Sequence, residues 1–363
     1  MQVANPNIYK IKPYVPGKPI NEVKRELKLK SVIKLASNEN PYPPSPKAVS
    51  AMVAGAKEVN RYPDGNCFVL RRTLAGKLHI NEDQLIFGNG SDEIICLAVK
   101  AFVTKGDEVI IAKPSFLIYE IASILSGAKL HQVPLKAFRY DLASMKAKVS
   151  NRTKIIFIGN PDNPAGTYVT KPQVEDFMRG LPKNILVFFD EAYFEYVEAK
   201  DYPDTIRLLK KYPNLMVTRT FSKMYGLAGL RIGYGIASPQ IIDILNRLRE
   251  PFNVNSLAQA AAVAALGDEA YYKKIARDVG EQRDFLYRSF EKMNVAYEKS
   301  FTNFILVHVG GDSSEAARAL LKKGVIIRDM AAWGLKGYIR VSIGTASENQ
   351  RFIKTLKAVL LIK

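Results

Sequence analysis

The sequence predicts an α/β protein with a large domain on a mostly parallel sheet, a smaller α+β C-terminal domain and an extended N-terminal arm. Three observations predict it. From residue 85, short runs rich in Ile, Val, Leu and Phe recur without polar alternation, as in strands covered on both faces. Helical patterns separate most of these runs, and strand–helix alternation builds a parallel sheet. After residue 268 the rhythm changes to one long helix followed by short strands and helices.

The elements follow in order. Residues 1–44 hold Pro6, Pro13, Pro16, Pro19, Pro41, Pro43 and Pro44, so much of this segment is expected to be an extended arm. The strand candidates of the large domain are 85–88, 108–112, 129–134, 154–159, 185–190 and 215–219, with helices at 91–103 and 116–125. Residues 268–294 read as one helix, 304–309 as a strand, 314–323 as a helix, 325–328 and 338–343 as strands, and 347–361 as a last helix. The large domain is expected over 45–278 and the small one over 279–363, with the boundary inside the long helix.

A chain of 363 residues suggests roughly two domains. Hydrophobic residues at 47% and charged residues at 24% exclude a disordered or collagen-like chain. Two cysteines, Cys67 and Cys96, exclude a disulfide framework and a cysteine zinc site. The histidines His79, His131 and His308 show no paired-ligand spacing, so no metal is expected. The N-terminus has no basic start with an apolar run behind it, and the smoothest apolar run, 257–266, contains Gln259. That run is far short of the roughly 20 residues of a membrane span, so a soluble cytoplasmic protein without a membrane partner is expected. The net charge of +18 raises the question of nucleic acid. The basic residues are spread along the chain without zinc-finger, helix-turn-helix or RNA-binding patterns, and a solvated Lys-rich surface accounts for them.

Open α/β sheets bind ligands beyond the C-terminal ends of their strands, so the loops after the strands hold the candidates. After 85–88 come Gly90, Ser91 and Asp92, where glycine admits a ligand and free amides at a helix start suit a phosphate; an ordinary helix cap would look the same. A six-residue dinucleotide fingerprint and a P-loop are both absent. After 154–159 a rigid Pro/Gly turn presents Asn163. Asp190 ends a buried apolar strand and wants a cationic partner. After 215–219, Lys223 stands between a buried strand and a Gly-rich loop, where desolvation turns an amine toward a nucleophile; Ser222 and Arg231 beside it suit phosphate.

Taken together, Asn163-Pro164-Ala165-Gly166, Asp190-Glu191-Ala192-Tyr193, Ser222-Lys223 and Gly229-Leu230-Arg231-Ile232-Gly233 resemble the class I/II aminotransferase family of pyridoxal-phosphate enzymes, fold type I. The resemblance covers essentially the whole chain. It implies that Lys223 forms the Schiff base with pyridoxal 5′-phosphate and moves the proton of the reaction. It implies that Asp190 pairs with the pyridine nitrogen, and that Tyr193 and Asn163 hold the ring 3-oxygen. Gly90, Ser91, Thr220, Ser222 and Arg231 would hold the phosphate, Asp92 through its amide while its carboxylate caps the helix. Phe116 would stack on the ring, where many members have Tyr.

Three further segments, Tyr14-Val15-Pro16-Gly17-Lys18-Pro19, Leu35-Ala36-Ser37-Asn38-Glu39-Asn40-Pro41 and Asn60-Arg61-Tyr62-Pro63-Asp64-Gly65, resemble the histidinol-phosphate branch of that family. This implies amino transfer between L-histidinol phosphate and 2-oxoglutarate, giving imidazole acetol phosphate and glutamate. Arg340 and Arg328 would grip the anionic substrates, Tyr14 would close the pocket, and Asn38 would lie near the substrate. Tyr62 would reach the cofactor phosphate of a partner subunit, which implies a homodimer. An aromatic amino-acid aminotransferase and a threonine-phosphate decarboxylase are the rival expectations on the same scaffold. A basic, cofactor-free nucleic-acid binder is the rival from another class.

Overall fold

The computed structural model describes residues 4–13 and 17–360. Its centre is a seven-stranded sheet of β1 (Leu85–Gly88), β2 (Glu108–Lys113), β3 (Lys129–Pro134), β4 (Thr153–Gly159), β5 (Leu186–Asp190), β6 (Leu215–Thr220) and β7 (Gly233–Ala237), in the order β1-β7-β6-β5-β4-β2-β3. Strands β3, β2, β4, β5 and β6 pair in parallel, and β7 runs against both its neighbours, β6 and β1. The apolar runs do not alternate because each face of the sheet is covered. Ile155 and Phe157 of β4 and Leu186 and Phe188 of β5 enter one core. Ile156, Ile158, Val187 and Phe189 enter the other. Helices α1 (Ser91–Phe102) and α2 (Leu117–Leu125) follow β1 and β2.

The chain then enters α3 (Glu269–Lys292), whose buried Tyr272, Ile275, Val279, Leu286 and Phe290 fall on one helical stripe. Beyond it, β8 (Phe304–His308), β9 (Arg328–Asp329) and β10 (Tyr338–Ser342) form an antiparallel sheet in the order β9-β10-β8. Helices α4 (Ser313–Lys322) and α5 (Ala346–Leu360) complete this C-terminal unit.

Three features differ from the sequence reading. Strand β7 was hidden by its glycines. A Cβ on Gly233 would stand 2.5 Å from the Ser91 amide nitrogen, and one on Gly235 would meet Met216 at 2.8 Å, so close packing rather than a loop calls for glycine there. The single strand expected over 325–328 is two. Val325–Ile326 pairs in parallel with Ile33–Lys34, and Arg328–Asp329 pairs with β10. Within the first 44 residues, Ile20–Glu26 is helical, since Ile20, Val23 and Leu27 recur at helical spacing and bury Val23. The segment after this helix is stitched to the C-terminal unit: the Leu35 amide donates to the Ile326 carbonyl at 2.7 Å, and the Ser342 amide to the Leu35 carbonyl at 2.8 Å. Among the described residues no helix is long and apolar enough to cross a membrane.

Candidate active site

The C-terminal ends of β4, β5 and β6 open into a cavity of about 460 Å³ that β9 and β10 close from the other side. Gly90, Ser91, Asp92, Phe116, Asn163, Asp190, Tyr193, Thr220, Ser222, Lys223, Arg231, Asn38, Arg328 and Arg340 all line it. Tyr62 does not: it is 83% exposed on this chain and stacks on Phe252 at 4.8 Å. Tyr14 lies outside the described residues.

At one end sits the start of α1. Gly90 adopts φ +79°, and a Cβ there would lie 2.6 Å from Nη2 of Arg231. Arg231 Nη1 reaches Ser222 Oγ at 3.5 Å, and the Ser222 amide donates to Thr220 Oγ1 at 3.1 Å. Free helix amides, three hydroxyls and a guanidinium therefore converge, which is the donor set of a phosphate site. The Asp92 carboxylate corrects the sequence reading. It makes no helix cap; it accepts from Arg231 Nη2 at 3.2 Å.

Lys223 is half-buried, with Nζ 5.7 Å from the centre of the Tyr193 ring. Desolvation, then the nearby Arg340 cation, brings its ammonium down to about 8. Asp190 is buried and has no cationic ion-pair partner among the described residues. Its Oδ2 accepts from the Tyr119 hydroxyl at 2.7 Å and its Oδ1 from the Ala192 amide at 3.1 Å. Burial pushes this carboxyl up to about 6 against those bonds. Burial likewise takes the Tyr193 phenol up to about 12. The Tyr193 oxygen accepts from Asn38 Nδ2 at 2.8 Å.

Arg340 donates through Nη1 to Asn163 Oδ1 and stands over Phe304, 5.1 Å from its ring centre. Arg328 lies directly opposite Arg340 in the antiparallel register and over the Trp333 ring at 5.3 Å. Like charges directly opposite on adjacent strands repel each other.

Several contributors escaped the sequence reading. Tyr119 reaches Asp190 from α2, and Trp333 backs Arg328. Behind Asp190, the buried Glu191 accepts from Arg219 Nε and Nη2 at 2.9 and 2.8 Å and from Thr205 Oγ1 at 2.8 Å. The Arg219 guanidinium covers the Phe194 ring at 3.5 Å. Glu191 stood in view beside Asp190; the cation at β6 facing it was the available signal. Among the described residues no cluster of His, Cys, Asp or Glu could hold a metal.

Residues 30–356 match the family described as aminotransferase class I and II. The chain is 48% identical to the histidinol-phosphate aminotransferase of Moorella thermoacetica, over 97% of this chain and 92% of that one. It is 47% identical to that of Caldicellulosiruptor saccharolyticus, over 96% of this chain and 98% of the other. Among solved structures it resembles the Sinorhizobium meliloti histidinol-phosphate aminotransferase in complex with pyridoxal-5′-phosphate, with a TM-score of 0.90 and 27% identity over 100% of this chain and 98% of that one. The aspartate aminotransferase of Thermus thermophilus shares the fold at a TM-score of 0.85 and 20% identity, covering 99% of this chain and 100% of that one. The α/β architecture expected from the sequence, of the pyridoxal-phosphate fold type I, is therefore the one the chain adopts, and the chain belongs to the class I and II aminotransferase family.

Proposed function

We propose that the protein is a pyridoxal-phosphate-dependent transaminase that moves an amino group between L-histidinol phosphate and 2-oxoglutarate, a step of histidine biosynthesis. The observation that carries this reading is the pair Arg328 and Arg340, directly opposite in register and lining one cavity with Lys223. A planar guanidinium grips a phosphate or a carboxylate in two-point fashion, and the two substrates carry one or the other. The relatives named above support the same substrate.

The residues fit the cofactor. Gly90 leaves room where any side chain would strike Arg231, and Ser91, Ser222, Thr220 and Arg231 would hold its phosphate. Asp190, whose carboxyl burial raises, would pair with a cationic ring nitrogen. Asn163 gives its oxygen to Arg340, so its Nδ2 would donate to the ring 3-oxygen with Tyr193. Phe116 would cover the ring face; it packs edge-on against Tyr119 at 5.6 Å. When bound, the cofactor serves as an electron sink that takes up and returns the amino group. Lys223 would anchor it, and with its ammonium near 8 the same Nζ can hold or release a proton close to neutral pH. Arg340 and Arg328 would orient each anionic substrate in turn, in one pocket.

A homodimer completes the site in this reading. Val53, Val59, Tyr62, Phe68 and Val69 are each 57% or more exposed on one stretch of chain, an apolar patch suited to a second copy. Tyr62 would then reach the partner's cofactor phosphate. Division into an arm over 1–44, a large domain over 45–278 and a small domain over 279–363, and a cytoplasmic location, belong to the same proposal. Initial rates with histidinol phosphate, phenylalanine and threonine phosphate test the substrate. Histidinol phosphate is expected to be preferred; a clear preference for phenylalanine, or carbon dioxide release from threonine phosphate, overturns it.

A further inference from the structure

We propose that Asn38 is a positioning residue that aims the hydroxyl hydrogen of Tyr193 into the cavity and so sets how strongly Tyr193 holds the cofactor's 3-oxygen. The inference rests on the transaminase reading above.

Asn38 is 2% exposed and takes φ +53°, a left-handed conformation that Asn tolerates. Its backbone is clamped to the C-terminal unit. The amide donates to Ser342 Oγ at 2.9 Å, and the carbonyl accepts from Asn303 Nδ2 at 2.9 Å. So fixed, its side chain reaches the turn that follows β5 and donates to the Tyr193 oxygen at 2.8 Å. A phenol oxygen that accepts this bond must send its own hydrogen elsewhere. Among the described residues no hydrogen bond gives that hydrogen an acceptor, and the cavity lined by Tyr193 and Lys223 is the remaining direction. Accepting a hydrogen bond also makes the phenol a stronger donor, because successive bonds polarise one another. Ser342 lies two residues beyond Arg340 on β10, so the strand that carries the anion-binding arginine also carries the clamp that orders Tyr193.

The readout is the pH midpoint of the bound cofactor's absorbance change, which a donor to the 3-oxygen lowers by favouring the ionised form. Asn38→Gly keeps the left-handed backbone without strain and removes only the side chain. It is expected to raise the midpoint by about half a pH unit or more. Asn38→Asp offers the phenol an acceptor that takes its hydrogen back, and is expected to raise the midpoint further. In a Tyr193→Phe background, Asn38→Gly is expected to add nothing. Midpoints equal to wild type in both single variants, or an undiminished Asn38→Gly shift without the Tyr193 hydroxyl, overturn the inference and leave the transaminase reading standing. A wild-type protein with no bound cofactor overturns that reading, and this inference with it.

Discussion

Arg328 and Arg340 face each other across the antiparallel pair β9–β10, with Trp333 beneath one guanidinium and Phe304 beneath the other. The aromatic rings stabilise the cations, and both line one cavity, where an anionic substrate would meet the two together. Arg340→Ala is therefore expected to raise KM for both histidinol phosphate and 2-oxoglutarate by about 10- to 100-fold, the worth of a charged hydrogen-bonding group. Arg328→Ala is expected to act mainly on the phosphate substrate. Steady-state kinetics with each substrate varied checks both; an unchanged KM removes the arginine from the pocket.

Gly90 faces Arg231 with no room for a Cβ and at a φ that L side chains rarely adopt. Gly90→Ala is expected to weaken pyridoxal phosphate binding by at least about tenfold, since the phosphate cradle must open. Pyridoxal lacking the phosphate is expected to bind the variant and the wild type alike. Equilibrium dialysis with the two compounds separates a damaged cradle from a damaged fold.

Much of this site was legible because of where the strands end. Asp190 ends a strand covered on both faces, Asn163 and Lys223 each follow one, and such runs announce themselves by composition alone. What stayed hidden depends on register and long-range packing. Asn38 and Tyr193 are 155 residues apart, and Tyr119 and Asp190 are 71 apart, so no local pattern joins them. The facing of Arg328 and Arg340 requires the pairing of β9 with β10, and β9 itself is two residues cut from what reads as one strand. Strand β7 looked like loop because its glycines serve packing rather than turning.

The buried Glu191–Arg219 pair underlies the Asp190–Tyr193 turn. Arg219→Met leaves a buried carboxylate without its cation and is expected to cost about 3–5 kcal/mol of stability. Replacing both residues by Met is expected to recover much of that loss, because the desolvation of both charges disappears together. Urea unfolding of the two variants and the wild type measures the difference.

Lys223 and Asp190 contribute to the pH dependence of stability in the cofactor-free protein, beside Asp162 and Glu195, which burial raises to about 7. Lys223 is lowered from 10.5 to about 8, so between those values the unfolded chain binds more protons than the folded one. Stability is then expected to rise with pH across that window. Asp190 is raised from 3.8 to about 6, so there the folded chain binds more protons and this group makes stability fall as pH rises from about 4 to 6. Lys223→Met is expected to reduce the alkaline rise and Asp190→Asn to reduce the acid-side fall without removing it, since Asp162 and Glu195 remain, seen in urea midpoints across pH. Lys223→Met is also expected to abolish transamination, and a variant turning over at the wild-type rate contradicts the role given to Lys223.

The most direct measurement is a single-turnover absorbance experiment. The protein loaded with pyridoxal phosphate is mixed with histidinol phosphate in the absence of any keto acid. The account predicts rapid and complete conversion of the bound cofactor to its pyridoxamine form. A spectrum untouched by histidinol phosphate but converted by phenylalanine would contradict it.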